Sequence, residues 1–140
     1  MRNLLVAFLL LSATGLVSAE GRTPSPKGAE VYIISPADGA VLKGPVTVRF
    51  GLKGMGIAPA GIAFENSGHH HLLIDTDAPI DFNLALATSD HSVHFGKGQT
   101  ETVLKLAPGK HTLQLVLGDH VHVPHAPPVI SQKITITVEP

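Results

Sequence analysis

The sequence predicts an all-β domain built as a two-sheet antiparallel sandwich, and three observations support this fold class. Short apolar or alternating runs, several of them rich in Val, Ile and Thr, recur along the chain between Gly and Pro residues. No segment shows the 3.6-residue periodicity over a length that would predict a helix. About seven such runs within about 110 residues is a spacing typical of β-sandwiches.

The N-terminal segment is predicted to be a secretory signal peptide spanning residues 1–19. Arg2 supplies the positive start, and small residues at Ser18 and Ala19 precede a predicted cleavage site before Glu20. The apolar run between them, roughly 14 residues, is too short to span a bilayer comfortably. An uncleaved membrane anchor is the alternative. We therefore expect a periplasmic or secreted protein with no membrane span after cleavage.

The remaining chain divides into a flexible lead-in at residues 20–29, rich in Pro and Gly, and one domain at residues 30–140. Without Arg2 it carries nine Lys and Arg (10 − 1) against 11 Asp and Glu, a formal charge of −2. This balance argues against nucleic acid as a partner. Cys is absent, which excludes disulfides, thiolate zinc sites and cysteine nucleophiles. An exported domain of this kind must be held by its core, or partly by a metal.

The candidate strands follow in order, with turn signals such as "PADG" and "APGK" between them. Named A to G, they give an immunoglobulin-like topology, and "SPADGAVLKGPVTVRF" is typical of the first hairpin of such domains. The segment "DFNLALA" shows the weakest strand pattern. The predicted strands are "EVYII" (30–34), "VTVRFGL" (46–52), "HHLLIDT" (70–76), "DFNLALA" (81–87), "QTETVLKL" (99–106), "KHTLQLVL" (110–117) and "ISQKITITV" (130–138).

This topology predicts that eight of the nine histidines lie at one pole of the sandwich, where the B–C, D–E and F–G loops meet. His111, which enters strand F in phase with Leu113, lies at the other end and is predicted to be structural. His91, beside Asp90, is interpreted as a solvated loop residue. The histidines expected at the shared pole are His69, His70, His71, His91, His94, His120, His122 and His125.

The spacing of the histidines predicts a metal site. Residues i and i+2 of an extended segment point the same way, so His69 and His71 can offer two imidazoles to one ion. His120 and His122 form a second such pair. Met55 lies in a loop of the same pole, and a thioether beside imidazoles suits Cu(I). The predicted metal ligands are His69, His71, His94, His122 and His125, with Met55, His70 and His120 as secondary candidates.

Several motifs together resemble one family of small exported bacterial proteins, described as domain of unknown function 4399. They are "GHHHLLID", "HFGKGQTE", "PGKHTLQLVLGD" and "HVPHAPPV", together with "ISPADGAVLKGPVTVRFGLKGMGIAPAG". The resemblance covers about residues 30–138 and implies no established activity. His91 and His120 lie outside the family motif. Membership of the motif does not by itself predict a metal ligand, because His111 belongs to the motif but lies at the other end of the sandwich. The motif histidines are His69, His70, His71, His94, His111, His122 and His125.

The favoured function is a periplasmic metal-binding protein for metal handling, delivery or buffering, with a periplasmic protein as a further candidate partner. Copper is favoured over zinc, because neutral imidazoles suit both ions and Cu(II) stands higher in the affinity order. Asp119, Asp90 or Glu65 could accept the second N–H of a ligating imidazole.

Two alternatives stay open. One is an envelope interaction domain whose histidines form a polar cap without metal. The other is a metal-dependent enzyme, which is less favoured because G-x-S-x-G, H-E-x-x-H and a close pair of candidate catalytic carboxylates are all absent from the sequence.

Overall fold

A computed structural model describes residues 21–140 of the chain. The predicted signal peptide and its cleavage site lie outside the described residues. Within them the regular structure consists of nine strands, and no helix is long and apolar enough to cross a membrane. The strands are β1 (Glu30–Ser35), β2 (Val41–Lys43), β3 (Val46–Lys53), β4 (Gly56–Ile57), β5 (Ser67–Ile74), β6 (Ser92–His94), β7 (Glu101–Leu104), β8 (Gly109–Gly118) and β9 (Ile134–Glu139).

The strands form two sheets, which confirms the predicted all-β sandwich. The smaller sheet has the order β1-β3-β7, and the larger has the order β2-β9-β8-β5-β4, with β6 also paired to β5. Most pairs are antiparallel, whereas β2 with β9 and β4 with β5 run parallel. The three strands that the sequence did not predict, β2, β4 and β6, have only two or three residues each.

The predicted strand at residues 81–87 is wrong. Asp81 starts a turn instead: its Oδ1 accepts the N–H of Asn83 at 2.9 Å, and its carbonyl oxygen accepts the N–H of Leu84 at 3.3 Å. A carboxylate that binds its own backbone two residues on competes with strand pairing. Leu84 is 63 % exposed, so the alternation of polar and apolar residues in this segment does not correspond to a buried face.

The hydrophobic core lies between the two sheets. Strands β3, β5 and β8 each contribute alternate residues to it, as expected of strands that bury one face. A fully buried Leu or Ile contributes roughly 1.5–3 kcal/mol relative to an exposed one. The core residues from these strands and β9 include Val48, Phe50, Leu72, Ile74, Leu113, Leu115, Leu117 and Ile136.

Strand β5 is buried along its whole length, and it has partners on both edges. It pairs with β8 on one edge and with β4 and β6 on the other. His70, Leu72 and Ile74 face the core, and Phe50 lies 5.1 Å from His70 between ring centroids. Because side chains alternate along a strand, His69 and His71 face the opposite, outer side of the larger sheet.

Candidate metal centre

Three imidazoles meet on the outer face of the larger sheet. His71 lies directly opposite His94 of β6 in the antiparallel register, and His69 lies two residues before it on β5. Residues directly opposite one another in such a pair project to the same side. The ring centroids of His69 and His94 are 5.0 Å apart, and those of His71 and His94 are 5.2 Å apart.

A fourth imidazole comes from the loop between β8 and β9. The Nδ1 of His122 lies 3.0 Å from the Nε2 of His69, within hydrogen-bond distance. One ring nitrogen from each of the four side chains lies within 4.8 Å of the other three. We call this group the four-histidine cluster: His69, His71, His94 and His122. Its geometry could hold a metal ion.

The cluster leaves buried nitrogens without protein partners among the described residues. His69 and His71 are fully buried, whereas His94 and His122 are half-buried. The Nδ1 of His69, both ring nitrogens of His71 and the Nε2 of His94 have no hydrogen-bond partner there. A buried polar atom without a partner typically costs about 1–3 kcal/mol. A coordinated ion would satisfy several such atoms at once, so the donor set fits a metal.

Burial also keeps three of the cluster imidazoles, those of His69, His71 and His94, neutral at pH 7 by lowering their pKa. It lowers the pKa of His69 to about 4, with His94 and His122 adding repulsion. It lowers the pKa of His71 to about 3, again helped by the neighbouring imidazoles, and the pKa of His94 falls for the same reasons. Neutral imidazole is the form that binds metal, so the lone pairs are available without the loss of a proton.

Two glycines make room for the rings, and the sequence interpretation missed both. A Cβ at Gly118 would lie 2.6 Å from the Cε1 of His71, and a Cβ at Gly96 would overlap the imidazole of His94. Gly118 ends β8 opposite His69, and Gly96 follows His94 after one residue. In the sequence, the sign of this role was a glycine close to predicted ligands, in "HFGKG" and "LGDH". Glycine is common in turns, so this sign did not distinguish the two positions.

Asp119 supports the loop backbone and not an imidazole, which differs from the role that the sequence suggested. Its Oδ1 accepts the backbone N–H groups of Val121 and Val123, each at 3.0 Å. Its Oδ2 accepts the hydroxyl hydrogen of Thr23 at 2.6 Å. Burial raises the pKa of Asp119, but these hydrogen bonds outweigh it, so the pKa lies below its ordinary value.

The structure does not bring His125 into the cluster. Its buried ring lies between β5 and β8, where Nε2–H donates to the carbonyl oxygen of Ser67 at 3.1 Å. Its Nδ1 lies 3.4 Å from the carbonyl oxygen of Leu117. Both ring nitrogens therefore face backbone oxygens. The sequence placed His125 at the same pole as the ligands, but three residues of loop after His122 turn its side chain away.

The secondary candidates also lie outside the four-histidine cluster. His70 faces the core on the other side of β5, where burial lowers its pKa to about 4. Met55 packs against the hydrophobic core, and His120 is absent from the group of converging nitrogens. His91 donates through Nδ1–H to the carbonyl oxygen of Ile74 at 2.9 Å.

The comparison with protein families gives one match. The family model described as "Domain of unknown function (DUF4399)" matches residues 48–139, a segment that contains all four cluster histidines. This match confirms the resemblance that the sequence motifs predicted. No curated protein and no solved structure matches the chain.

Proposed function

Because the chain belongs to the DUF4399 family, whose description assigns no activity, we propose a function from the site itself. The protein binds one transition-metal ion through the four-histidine cluster, and it serves the handling, delivery or buffering of that ion in the periplasm. One observation carries this proposal: four ring nitrogens converge within 4.8 Å. The predicted signal peptide supports the periplasmic location.

The donor set favours copper over zinc. All four donors are imidazole nitrogens, and Cu(II) exceeds Zn(II) in the affinity order for such ligands. Met55 lies with the core, so the cluster offers no thioether that would favour Cu(I). Nitrogens bonded to one ion at about 2.0–2.1 Å are at most about 4.2 Å apart. Binding is therefore expected to draw the four rings slightly inward.

The number of protein donors favours binding over catalysis. Structural zinc sites have four protein ligands, whereas catalytic ones have three and keep a position open for water or substrate. The four-histidine cluster supplies four donors, which supports a storage or transfer role. The enzyme alternative would require one imidazole to stay away from the ion.

The test is metal titration of the full-length chain made without an affinity tag. We expect one Cu(II) per chain and a higher melting temperature on saturation, because the ion binds the folded state preferentially. The double variant His69→Ala/His71→Ala should lose most of that rise. His91→Ala is the matched control, because His91 is an exposed histidine whose ring contacts Ile74 and not the cluster.

Two results would contradict the proposal. One is a wild-type chain that neither retains nor takes up Cu(II) or Zn(II). The other is full metal-induced stabilisation in the double variant. Either result would favour the alternative of a polar cap without metal.

A further inference from the structure

One cluster ligand is held differently from the other three. His69, His71 and His94 lie in strands, whereas His122 lies in the loop between β8 and β9. The backbone of His122 has φ +70°, in the left-handed region that residues other than glycine rarely adopt. Such a conformation persists only where the surrounding structure imposes it.

Asp119 makes four hydrogen bonds within this loop. Its carbonyl oxygen accepts the N–H of His122 at 2.9 Å, and its own N–H donates to the carbonyl oxygen of Val123 at 2.9 Å. Its Oδ1 accepts two further N–H groups, from Val121 and Val123. Asp119 itself is 4 % exposed. The turn that presents His122 to the cluster is therefore built on one buried carboxylate.

The carboxylate is in turn held by residues 22–25, which we call the N-terminal strap. Thr23 donates its hydroxyl hydrogen to Asp119 Oδ2 at 2.6 Å. Arg22 Nε donates to the carbonyl oxygen of Pro124 at 3.1 Å. The N–H of Ala126 donates to the carbonyl oxygen of Thr23 at 2.9 Å. The predicted flexible lead-in is thus paired along the loop that carries His122.

We infer that Thr23 and Asp119 are positioning residues for His122, and that the N-terminal strap sets how fast the bound ion leaves. The inference rests on the proposed function. His122 is held by two backbone hydrogen bonds, from its N–H to Asp119 and from the N–H of Leu86 to its carbonyl oxygen, and not by a strand ladder, so it detaches more readily than the strand ligands. The contact between Thr23 and Asp119 keeps that loop in its ligating conformation. Release of the strap frees His122 and leaves the ion on the three strand ligands.

The experiment measures Cu(II) dissociation into excess chelator from the full-length chain. Thr23→Val removes the hydroxyl at similar size, and Asp119→Ala removes the carboxylate. Changes to groups that orient metal ligands typically cost about 10- to 100-fold in affinity, so we expect dissociation about tenfold faster or more. Asp119→Asn keeps an amide oxygen that can accept the two loop N–H groups, and its Nδ2–H can donate to the Thr23 hydroxyl oxygen, so this variant should restore slow release. Thr47→Val is the matched control, because it makes the same substitution at an exposed residue of β3, in the smaller sheet.

The spectrum and a double variant separate positioning from general destabilisation. The Cu(II) absorption band of Thr23→Val should shift towards that of His122→Ala, which lacks the ligand. Adding Thr23→Val to His122→Ala should cause no further acceleration of dissociation. Thr23 is inferred to act only through His122, and that ligand is already absent. Further acceleration in that background would overturn the inference.

The remaining outcomes are also decisive. A wild-type chain that binds no Cu(II) rejects the proposed function, and the inference with it. A wild-type chain that binds Cu(II), with Thr23→Val releasing it at the wild-type rate, rejects the inference alone. An Asp119→Asn variant as fast as Asp119→Ala would show that the hydrogen bonds of residue 119 do not hold the loop, and would also reject the inference.

Discussion

The histidine side chains of this protein lie in contrasting environments, and the contacts of each imidazole ring determine its role. His71 has two buried ring nitrogens with no partner among the described residues. His111 has two ring nitrogens that both face acceptors: Nδ1–H donates to Asp75 Oδ2 at 2.7 Å and Nε2–H donates to the carbonyl oxygen of Ala107 at 2.8 Å. The first arrangement suits a metal ligand. The second suits a structural imidazolium, which can donate at both positions.

The first prediction concerns His111. The hydrogen bond from His111 to Asp75 raises the pKa of the imidazole above 6.5, so its stabilising contribution is fully present below pH 6.5 and is lost as pH rises through the folded pKa. We expect His111→Ala to lower the free energy of unfolding by about 1–3 kcal/mol, with the larger loss at pH 6. Urea denaturation at pH 6 and pH 8.5 measures this. Cu(II) affinity should stay within a fewfold of wild type, and a tenfold loss with the fold intact would contradict it.

The second prediction concerns His70, whose ring nitrogens have no partner in the described part of the chain. Burial lowers its pKa to about 4, so it costs stability as pH falls from 6.5, where the unfolded chain takes up the proton first. His70→Leu should therefore be near neutral at pH 7.5 and stabilising at pH 5. Denaturation at both values checks this. Equal destabilisation at both pH values would mean that His70 has a buried partner such as water.

At the scale of the strands, the third prediction concerns the end of β8. Gly118→Ala would place a Cβ 2.6 Å from the Cε1 of His71, so the ring must rotate or the strands must separate. We expect at least a tenfold loss of Cu(II) affinity, comparable to other changes that disturb ligand orientation. Gly56→Ala on β4 is the control, because a Cβ there would meet no atom within 4 Å and its φ is not positive. Unchanged affinity in Gly118→Ala would show that the cluster tolerates displacement of His71.

Periodicity predicted much of the strand arrangement and part of the cluster. Side chains alternate between the two faces of a strand. The alternating pattern therefore predicted that His69 and His71 share a face, and it predicted the core strands β3, β8 and β9. Loop geometry had no comparable signal. "DFNLALA" alternates yet forms a turn, since Asp81 binds the backbone of Asn83.

The loop between β8 and β9 shows the same limit. It carries His122 and His125 three residues apart, but only His122 reaches the cluster. The difference depends on the left-handed φ of His122 and on hydrogen bonds to Asp119 and to the N-terminal strap. These contacts join distant parts of the chain: Thr23 and Asp119, for example, are 96 residues apart in the sequence. A local sequence pattern cannot report them.

For the whole molecule, the fourth prediction is that the metal-free protein loses stability in acid. His69, His70 and His71 have pKa values lowered to about 4, 4 and 3. Their contribution is intact above pH 6.5 and is lost progressively as pH falls from 6.5 towards those values. His111 acts in the opposite direction, but the three depressed groups outnumber it. We expect the urea midpoint of the metal-free chain to fall steadily between pH 6.5 and pH 4.

The metal-loaded protein should resist this loss at first and then release the ion, since protons and metal compete for the same nitrogens. Release into a chelator-free buffer at stepped pH values measures the competition. A urea midpoint that is unchanged from pH 7.5 to pH 4.5 in the metal-free chain would mean that these histidines are protonated readily within the fold.

The two faces of β5 separate the residues of the hydrophobic core from the proposed metal ligands. Leu72 and Ile74 join the core on one face, while His69 and His71 stand on the other. Because the core does not include the cluster, we expect the metal-free chain to fold, unlike a zinc finger, whose folding requires its metal. Empty and loaded molecules can coexist, and the loaded fraction rises and falls with the free ion concentration. Under the proposed function, a population of such molecules would act as a reserve that fills when the ion is plentiful and empties when it is scarce, without any chain having to unfold.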